Sequence, residues 1–418
     1  MLAKAGSGPA AGHFRSSVTQ RENGCAAGDF TEQALAHIDS FPLFSVLAVE
    51  IDTAEAPNVS TFSPETAKSV TQCLDRSCRQ QDGVWGPLTE GCWAMFVPGK
   101  TAAEARSQAE QIRACAAGEN CTVTIGIAVY PTLDYSKRDI LANACKALEH
   151  AHFFGPNSQT VFDEVSLNIS GDKYYDIGDL NRAEAEFRQA LRLNPEDANL
   201  HNSLGVCHAD RGDFGQALAS FETALRLKKN ELLAAYNIAM VHRMKGHTDM
   251  ALEFLKKAEC GREARFEAKL QIGRIYLEDK APEQALPYLE DASVLRPENG
   301  QVHCLLGECL QALEMEAAAR SAYKKALRLN ANDATALSGL GWIYHKLEEN
   351  FEIATLFCRQ SVEIAPENGL FRYRLARRYL SENRLKEARH HFEKAANLGY
   401  DTGNYAQVVR NRLMEKAS

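Results

Sequence analysis

The stretch SLGVCHADRGDFGQALASF, Ser203–Phe221, contains two apolar patterns separated by a polar turn around Gly212. The first pattern includes Gly205, and the second places Ala217 and Phe221 four residues apart, which puts them on one face of a helix. Small residues let two helices approach closely, and a glycine in the turn can end the first helix with a positive φ. The stretch therefore predicts a pair of helices joined by a short turn.

The same arrangement recurs through the second half of the chain at a spacing of 34 residues. It consists of a small residue in the first helix, an alanine in the second helix and an apolar residue four positions later. The three series are Gly171, Gly205, Ala239, Gly273, Gly307, Gly341 and Ala376; Ala183, Ala217, Ala251, Ala285, Ala319, Ala354 and Ala388; and Phe187, Phe221, Leu255, Leu289, Tyr323, Cys358 and Phe392. Each series has one step of 35 near Glu349-Asn350, where we expect a local kink. Seven such pairs predict a stacked, continuous core, because one pair cannot bury its own apolar face.

These units closely resemble the tetratricopeptide repeat (TPR) family over residues 164–402. Further matching positions are Tyr174, Tyr276, Tyr344 and Tyr379, the late alanines Ala190, Ala224, Ala258, Ala292, Ala326 and Ala395, and the closing prolines Pro195, Pro297 and Pro366. The chain departs from the family pattern in lacking a tryptophan at the fourth position, and Lys229, Glu263 and Ala331 replace the closing proline. The resemblance implies an all-α superhelix, a right-handed solenoid of helix pairs.

In the family that these units resemble, the first helices line a concave groove that often holds a peptide. By repeat register, the lining residues here are Asn202, Val206, Asp210, Asn237, Met240, Arg243, Gln271, Arg274, Glu308, Trp342, His345, Arg374 and Arg377. Their charges are mixed, with arginines toward the C-terminal end. Each side chain could contact a protein or peptide partner or simply be solvated. After the last repeat, Tyr405, Val409 and Leu413 recur every four residues and predict a capping helix over residues 403–418.

The periodicity changes between residues 41 and 163. The runs FSVLAVEI, CWAMFV and CTVTIGIAVY are typical of buried strands. Helical patterns over residues 66–80, 102–116 and 136–154 alternate with them. This alternation predicts an α/β domain with a central sheet.

The order and spacing of these elements resemble the GGDEF domain, the diguanylate cyclase fold. VTIGIAVYP is similar to the penultimate strand of that family, and Gly155 and Asn157 match the turn after its last helix. The family signature Gly-Gly-Asp-Glu-Phe then falls on Thr89–Trp93, which reads Thr-Glu-Gly-Cys-Trp. His152 stands at the phosphate-contacting lysine of the family and Cys145 at an aspartate of the same helix.

These replacements remove the chemistry that the resemblance implies. Joining two GTP molecules requires divalent cations held by carboxylates, and the signature turn here supplies Gly91 and Cys92 instead. Thr89 and Glu90 add bulk and negative charge where the family has glycines. We therefore predict a degenerate GGDEF-like domain that is not an enzyme, with no catalytic residue and no cofactor.

Two weaker features of this domain leave alternatives open. Glu50 and Asp52 at the end of the first strand could hold a metal ion, or could be a strand end that meets solvent. Arg79 and Asp82 have the RxxD form of the inhibitory cyclic-di-GMP site of the family, about one residue out of its usual spacing. They provide the basis for an alternative function as a nucleotide-sensing effector.

The composition of the chain limits the partners and locations that remain open for the protein. A formal net charge of -8 disfavours nucleic acid as a partner, and the apolar run over residues 41–51 is too short to span a membrane. The twelve scattered cysteines predict buried thiols in a reducing cytoplasm. Residues 1–40 are expected to form a flexible tail, because they lack the apolar region of a signal peptide.

Together these patterns predict an α/β GGDEF-like domain over residues 41–163, seven TPR units over 164–402 and a cap. We expect the two halves to pack rigidly, with the first repeat helix starting near Glu164, since no Gly-rich or Pro-rich spacer separates them. The leading interpretation is a cytoplasmic, non-catalytic signalling scaffold or adaptor, whose α/β domain could serve for docking or as a homodimer contact. An active cyclase is the third alternative, which the turn at Gly91 argues against.

Overall fold

The computed structural model describes residues 25–52, 62–79, 81–228, 232–260 and 265–415. It divides the chain into two compact units, residues 1–237 and 238–418. The first unit contains a sheet, its covering helices and the first repeats, and the second unit contains helical repeats. Each unit is described separately below.

The first unit is built on a mixed sheet of five strands. The strands are β1 (Phe44–Ile51), β2 (Val84–Thr89), β3 (Cys92–Pro98), β4 (Val123–Tyr130) and β5 (Gln159–Val161). Their order is β2-β3-β1-β4-β5, with β1 antiparallel to both β3 and β4, and β5 parallel to β4. The central strand β1 is an almost continuous apolar run, which is expected of a strand covered on both faces.

Helices cover both faces of this sheet. They are α1 (Cys25–Ile38), α2 (Pro64–Arg79), α3 (Ala102–Gly118) and α4 (Asp139–His152). Successive side chains of a strand point to opposite faces. Accordingly, Leu47 packs in a cluster with residues of α2 and α3, whereas Val46 packs in a cluster with residues of α1 and α4.

The expectation of a flexible segment over residues 1–40 is wrong for residues 25–38, which form α1. Ala34 and Ile38 are buried in the core. The ring of Phe30 lies 6.0 Å from that of Phe96 and covers Gly86, where a Cβ atom would come within 2.4 Å of the ring. The apolar side chains recur every four residues, and this helical spacing explains why the segment folds. Residues 1–24 lie outside the described part of the chain.

The cysteines do not all remain thiols. Cys73 on α2 and Cys115 on α3 form a disulfide, with Cα atoms 5.9 Å apart. The prediction of buried thiols is therefore wrong for this pair, because 42 residues of chain separate the two positions and no local spacing pattern marks them. The prediction of buried thiols is confirmed for Cys78, Cys92, Cys207, Cys304, Cys309 and Cys358. Cys121 and Cys145 are thiols that are only half-buried, and the thiol of Cys260 is exposed, so the predicted burial is wrong for Cys260.

The sheet leads directly into the first repeats. These comprise α5 (Glu164–Asp176), α6 (Leu180–Leu193), α7 (Ala198–Asp210), α8 (Phe214–Leu227) and α9 (Leu232–Met244), within which the division of the two units falls. Asp163 caps α5 by accepting a hydrogen bond of 2.8 Å from the backbone N–H of Ser166. Phe162, Leu167 and Phe187 belong to the same buried cluster as Val46, so the sheet and the first repeat share one core.

The second unit continues the helix pairs. Its helices are α10 (Thr248–Ala258), α11 (Arg265–Glu278), α12 (Pro282–Leu295), α13 (Gly300–Ala312), α14 (Glu316–Leu329), α15 (Ala334–Lys346), α16 (Phe351–Ile364), α17 (Gly369–Ser381), α18 (Leu385–Asn397) and α19 (Tyr405–Glu415). No helix in the described ranges combines the length and the apolarity that crossing a membrane requires.

The predicted role of the repeated small residues is confirmed. A Cβ atom on Gly205 would lie 2.5 Å from the ring of Phe221, and one on Gly307 would lie 2.6 Å from the ring of Tyr323. A methyl group at either position would force the two helices of the pair apart, because such distances are far below van der Waals contact. The 34-residue series of small residues therefore marks where each first helix meets its second helix.

The turns inside the pairs change along the chain. Gly178, Gly212 and Gly246 have φ angles of 82°, 83° and 76°, as the sequence predicted for a helix end. In later repeats the same left-handed conformation is adopted by residues other than glycine: Lys280, Glu314, Glu348 and Asn383. The additional residue of the sixth unit lies in such a turn, where Asn350 also has a positive φ of 48°.

Candidate binding face of the helical repeats

The residues assigned to the groove lie on the first helices of the pairs, which contact one another side by side. We call the surface formed by α11, α13, α15 and α17 of the second unit the first-helix face. The corresponding helices of the first unit are α5, α7 and the beginning of α9.

In the first unit, three of the four assigned residues are buried. Asn202, Val206 and Asn237 each have 0% exposure. The Nδ2 group of Asn237 donates a hydrogen bond of 2.9 Å to Oδ1 of Asn202, so the amides join α7 to α9. The register argument placed them on the correct helices but did not account for the contact between neighbouring first helices. Only Asp210 is exposed, and it accepts a hydrogen bond from the hydroxyl of Tyr175.

The start of the second unit is closed by internal bonds. Met240 is buried, with 6% exposure. Arg243 donates to Oε1 of Gln271 at 2.7 Å and to Oε1 of Glu278 at 2.9 Å. These bonds join α9 to α11, and the carboxylate of Glu278 neutralises the guanidinium. A partner that binds Arg243 or Gln271 would first have to break the hydrogen bond between them.

The C-terminal end of the first-helix face is different. Arg377 on α17 lies among three aromatic rings, with its guanidinium carbon 3.9 Å from the ring centroid of Tyr405, 5.4 Å from that of Trp342 and 5.7 Å from that of Tyr373. The guanidinium carbon of Arg374 lies 5.9 Å from the ring centroid of Trp342. We call these five residues the Arg–aromatic cluster. Each separation is within the range of favourable cation–π interaction.

Both arginines of the cluster bond to neutral oxygen atoms. Arg374 donates to Oγ of Ser338 at 3.1 Å, and Arg377 donates to the hydroxyl of Tyr373 at 2.8 Å. Within the described ranges, neither guanidinium has a carboxylate oxygen within 4.0 Å. The neighbouring Arg378, by contrast, is buried and pairs with Glu382 at 3.0 Å. Among the residues described, the cluster thus holds two positive charges that form no ion pair with a carboxylate.

Two titratable side chains near the cluster, His345 and Glu308, have shifted pKa values. Burial, together with the charges of Arg378 and Arg377, lowers the pKa of His345 to about 4, so its imidazole is neutral at pH 7. On α13, burial raises the pKa of Glu308, and the positive charges of Arg374 and Arg274 oppose that shift. Glu308 is the predicted groove residue that brings a negative charge toward the cluster, and Arg274 lies beyond it on α11.

Sequence reasoning found Trp342, His345, Arg374 and Arg377 but missed two partners. Tyr373 was not assigned to the groove, although it precedes Arg374 on the same helix. Tyr405 was assigned to the cap alone. A signal for both was present, since an aromatic residue beside an arginine on a first helix can supply a ring for stacking.

Glu50 and Asp52, the residues that the sequence suggested for a metal ion, form internal bonds in the first unit. Asp52 accepts hydrogen bonds from the hydroxyl of Thr124 at 2.6 Å and from the backbone N–H of Asn157 at 2.7 Å. Oε2 of Glu50 lies 3.2 Å from Nε2 of His152 on α4. Among the residues described, no group of three or more His, Cys, Asp or Glu side chains is arranged to hold a metal ion.

The turn at Gly91, between β2 and β3, is packed against an aromatic ring. Gly91 has a φ of 77°, and a Cβ atom there would come within 2.4 Å of the ring of Phe62. Cys92 is buried and lies opposite Glu50 in the register of β1 and β3. The space beside the turn is therefore taken by an aromatic side chain.

Arg79 and Asp82 each make a contact with a different residue. Arg79 pairs with Asp75 on its own helix at 3.1 Å, and its side chain is 81% exposed. The backbone oxygen of Asp82 lies 2.8 Å from Nε2 of His37 on α1. No described contact brings Arg79 and Asp82 together.

A comparison with family models identifies the repeats. A model of the tetratricopeptide repeat matches residues 170–231, 208–268 and 270–333. Residues 170–268 and 270–333 of the helical part are therefore similar to tetratricopeptide repeats. No curated protein matches the chain.

Solved structures similar to the chain include three that each cover about half of it. PilF of Pseudomonas aeruginosa is 19% identical with a TM-score of 0.46, and the alignment covers 50% of this chain and 94% of that chain. YrrB, described as a TPR protein with an unusual peptide-binding site, is 24% identical with a TM-score of 0.39, covering 44% and 95%. The Cut9–Hcn1 hetero-tetramer is 20% identical with a TM-score of 0.43, covering 52% and 43%.

Proposed function

Starting from its tetratricopeptide repeats, which typically mediate protein–protein interaction, we propose that this chain is a non-catalytic scaffold or adaptor. Its first-helix face binds a peptide or a partner protein at the C-terminal end. The observation that carries this proposal is the Arg–aromatic cluster, in which two arginines form no ion pair with any carboxylate in the described part of the chain. Aromatic residues and arginines are the side chains most enriched at interaction hot spots.

The sheet of the first unit forms the second part of the proposal. We interpret residues 41–163 as a degenerate GGDEF-like domain that serves the scaffold by its surface. Two contacts support this interpretation: Asp52 is committed to Thr124 and Asn157, and the ring of Phe62 lies against Gly91. A nucleotide phosphate would have to displace these groups before a metal ion could bridge it to β1.

Affinity capture with the full-length chain tests the scaffold function. Wild-type protein and an Arg374→Glu/Arg377→Glu variant are compared, with Arg389→Glu as a matched control, because Arg389 is exposed on the second helix α18. Proteins that bind the wild type and the control but not the double variant are partners of the first-helix face. Identical capture by all three proteins would show that this face is not the interaction site.

Two assays address the nucleotide alternatives. Incubation of the full-length protein with GTP and magnesium is expected to yield no cyclic di-GMP, and calorimetric titration with cyclic di-GMP is expected to yield no heat. Heat that disappears in an Arg79→Ala variant would instead support the effector function.

A further inference from the structure

Building on the proposed function, we infer that the Arg–aromatic cluster binds side-chain carboxylates of an acidic peptide segment in a partner protein. The inference concerns the end of the first-helix face formed by α15 and α17. It names the chemical class of the ligand, which neither the repeats nor their register specify.

The first argument is that neither arginine of the cluster forms an ion pair with a described carboxylate. Arg374 and Arg377 donate only to the hydroxyl groups of Ser338 and Tyr373 within the described ranges. Hydrogen bonds from a guanidinium to a carboxylate are shorter and about twice as strong as those between neutral groups. A carboxylate that reaches the cluster therefore gains stronger bonds than the hydroxyls provide.

The second argument is the orientation of the guanidinium groups. The rings of Tyr405, Trp342 and Tyr373 surround Arg377 and limit how its guanidinium can turn. Stacking on a ring occupies the face of a guanidinium, whereas its N–H donors lie in the plane and stay available at the edge. Arginine donors held in this way match the two oxygens of a carboxylate, and a lysine at the same position could not reproduce that geometry.

The third argument concerns the nearby acid Glu308 on α13. It interacts electrostatically with Arg374, but within the described ranges its carboxylate forms no ion pair with either arginine of the cluster. Two arginines attract a carboxylate and a phosphate alike, so the phosphoserine peptide described below distinguishes these two ligand groups.

The fourth argument distinguishes a peptide from a nucleic acid. Residues 369–415 contain ten Lys or Arg and five Asp or Glu, so this end of the second unit is basic although the whole chain has a formal net charge of -8. A nucleic acid, with one charge per about 1.7 Å of duplex, would extend beyond a small basic patch onto an acidic protein. A short acidic segment contacts the patch alone.

The binding test uses the full-length protein and synthetic peptides with blocked termini. The acidic probe is acetyl-Asp-Glu-Leu-Asp-Glu-Leu-amide, and its matched control replaces each acid with the isosteric amide, Asn or Gln. We expect calorimetry to detect binding of the acidic peptide only. Blocked termini ensure that any carboxylate contact comes from side chains.

Single variants locate the contact. Arg374→Gln and Arg377→Gln are each expected to weaken binding of the acidic peptide about tenfold or more, since a hydrogen bond to a charged group contributes about 1.5–3 kcal/mol. Arg377→Lys should be intermediate, because it keeps the charge and loses the planar fork. Arg389→Gln on α18 should bind like the wild type. Circular dichroism of each variant confirms that the repeats remain folded.

Three results would overturn the inference: equal binding of the acidic and amide peptides, acidic-peptide binding that neither Gln variant changes, or no binding of the acidic peptide. Tighter binding of a peptide with phosphoserine in place of the acids would also overturn the choice of carboxylate. If the acidic peptide fails while captured partners are still lost from the Arg374→Glu/Arg377→Glu variant, the scaffold function stands and only the ligand class is wrong.

Discussion

The guanidinium of Arg377 lies 3.9 Å from the ring centroid of Tyr405. This contact connects α17, the first helix of the last pair, to the terminal helix α19. The same ring stacks on Phe392 of α18, at 6.1 Å and an interplanar angle of 9°. Val409, one turn further along α19, is fully buried. Tyr405 therefore belongs both to the cap of the repeats and to the candidate binding site.

Replacing this ring should loosen the cap. We expect Tyr405→Ala to destabilise the C-terminal repeat by about 2–3 kcal/mol, because the variant loses buried apolar area and the contact with Arg377. Hydrogen exchange of amides in α17–α19 measures this local effect better than a global transition, since repeat proteins can open from one end. Tyr405→Phe keeps the ring and should exchange like the wild type. Equal exchange in the Ala and Phe variants would contradict the assigned role.

A second prediction concerns the contact between β4 and α4. A Cβ atom on Gly126 would come within 2.1 Å of the backbone oxygen of Ala144 and of the backbone nitrogen of Leu148. Backbone atoms cannot rotate away as a side chain can, so Gly126→Ala should cost about 3 kcal/mol or more. Urea denaturation of the full-length protein measures the loss. Gly118→Ala is the control, because no atom lies within 4 Å of its added Cβ; similar stability of both variants would contradict the close packing.

A third prediction follows from the disulfide between Cys73 and Cys115. The bridge spans 42 residues of sequence, for which chain entropy alone predicts a stabilisation of roughly 4 kcal/mol. We expect reductant to lower the thermal transition of the wild type but not that of a Cys73→Ala/Cys115→Ala variant. Mass spectrometry of an unreduced digest checks the pairing directly. Recovery of both cysteine peptides unlinked from freshly purified, oxidised protein would contradict it.

A fourth prediction is that stability depends on pH through His345. Its pKa in the folded state is about 4, below the value of about 6.5 expected for an unfolded chain. Above pH 6.5 the imidazole is neutral in both states. Between pH 6.5 and 4 only the unfolded chain gains the proton, so stability falls as the pH falls, by less than about 1.4 kcal/mol per unit, because solvent screens this half-buried group. Below pH 4 the imidazole is protonated in both states, so the loss of stability through His345 is complete and no longer changes with pH.

The difference between wild type and His345→Gln isolates this contribution. The variant should lose less stability than the wild type when thermal unfolding is followed from pH 7 to pH 4.5. Proton NMR of the imidazole provides an independent check. A His345 resonance that titrates near pH 6.5 in the folded protein would rule out the proposed effect of burial, Arg378 and Arg377.

The helical repeats could be predicted from the sequence because their contacts are periodic. Each small residue such as Gly205 contacts a large residue such as Phe221 in the same helix pair. Because this contact recurs in every pair, it produces a sequence pattern with a spacing of 34 residues. The disulfide between Cys73 and Cys115 joins two different helices and occurs once, so it produces no periodic pattern in the sequence. Local patterns therefore identified the pairs of helices and not the bond between α2 and α3.

The candidate site was only partly predictable for a related reason. Repeat register places a residue on the correct helix, but exposure depends on the size of its neighbours across the helices. Asn202 and Asn237 bond to each other and are buried, whereas Arg374 and Arg377 extend past Trp342 and remain partly accessible. The register cannot distinguish these outcomes.

The last prediction concerns the ion pair that joins the sheet domain to the first repeat. Nζ of Lys146 on α4 lies 2.7 Å and 2.8 Å from the two carboxylate oxygens of Glu186 on α6, and the side chains are only 18% and 16% exposed. Lys146→Met leaves a largely buried carboxylate without its partner, which should destabilise the protein by about 2–4 kcal/mol.

A double-mutant cycle separates the pair from the cost of an unpaired charge. Adding Glu186→Leu to Lys146→Met should restore most of the lost stability in urea denaturation, because an apolar pair carries no desolvation penalty. Limited proteolysis between Asp163 and Asp172 should be slow in the wild type and in the double variant, and faster in Lys146→Met. If the double variant is as unstable as the two single changes added together, the two side chains do not act as a pair, and the contact between sheet and repeats must depend on the shared apolar core around Phe162 and Leu167.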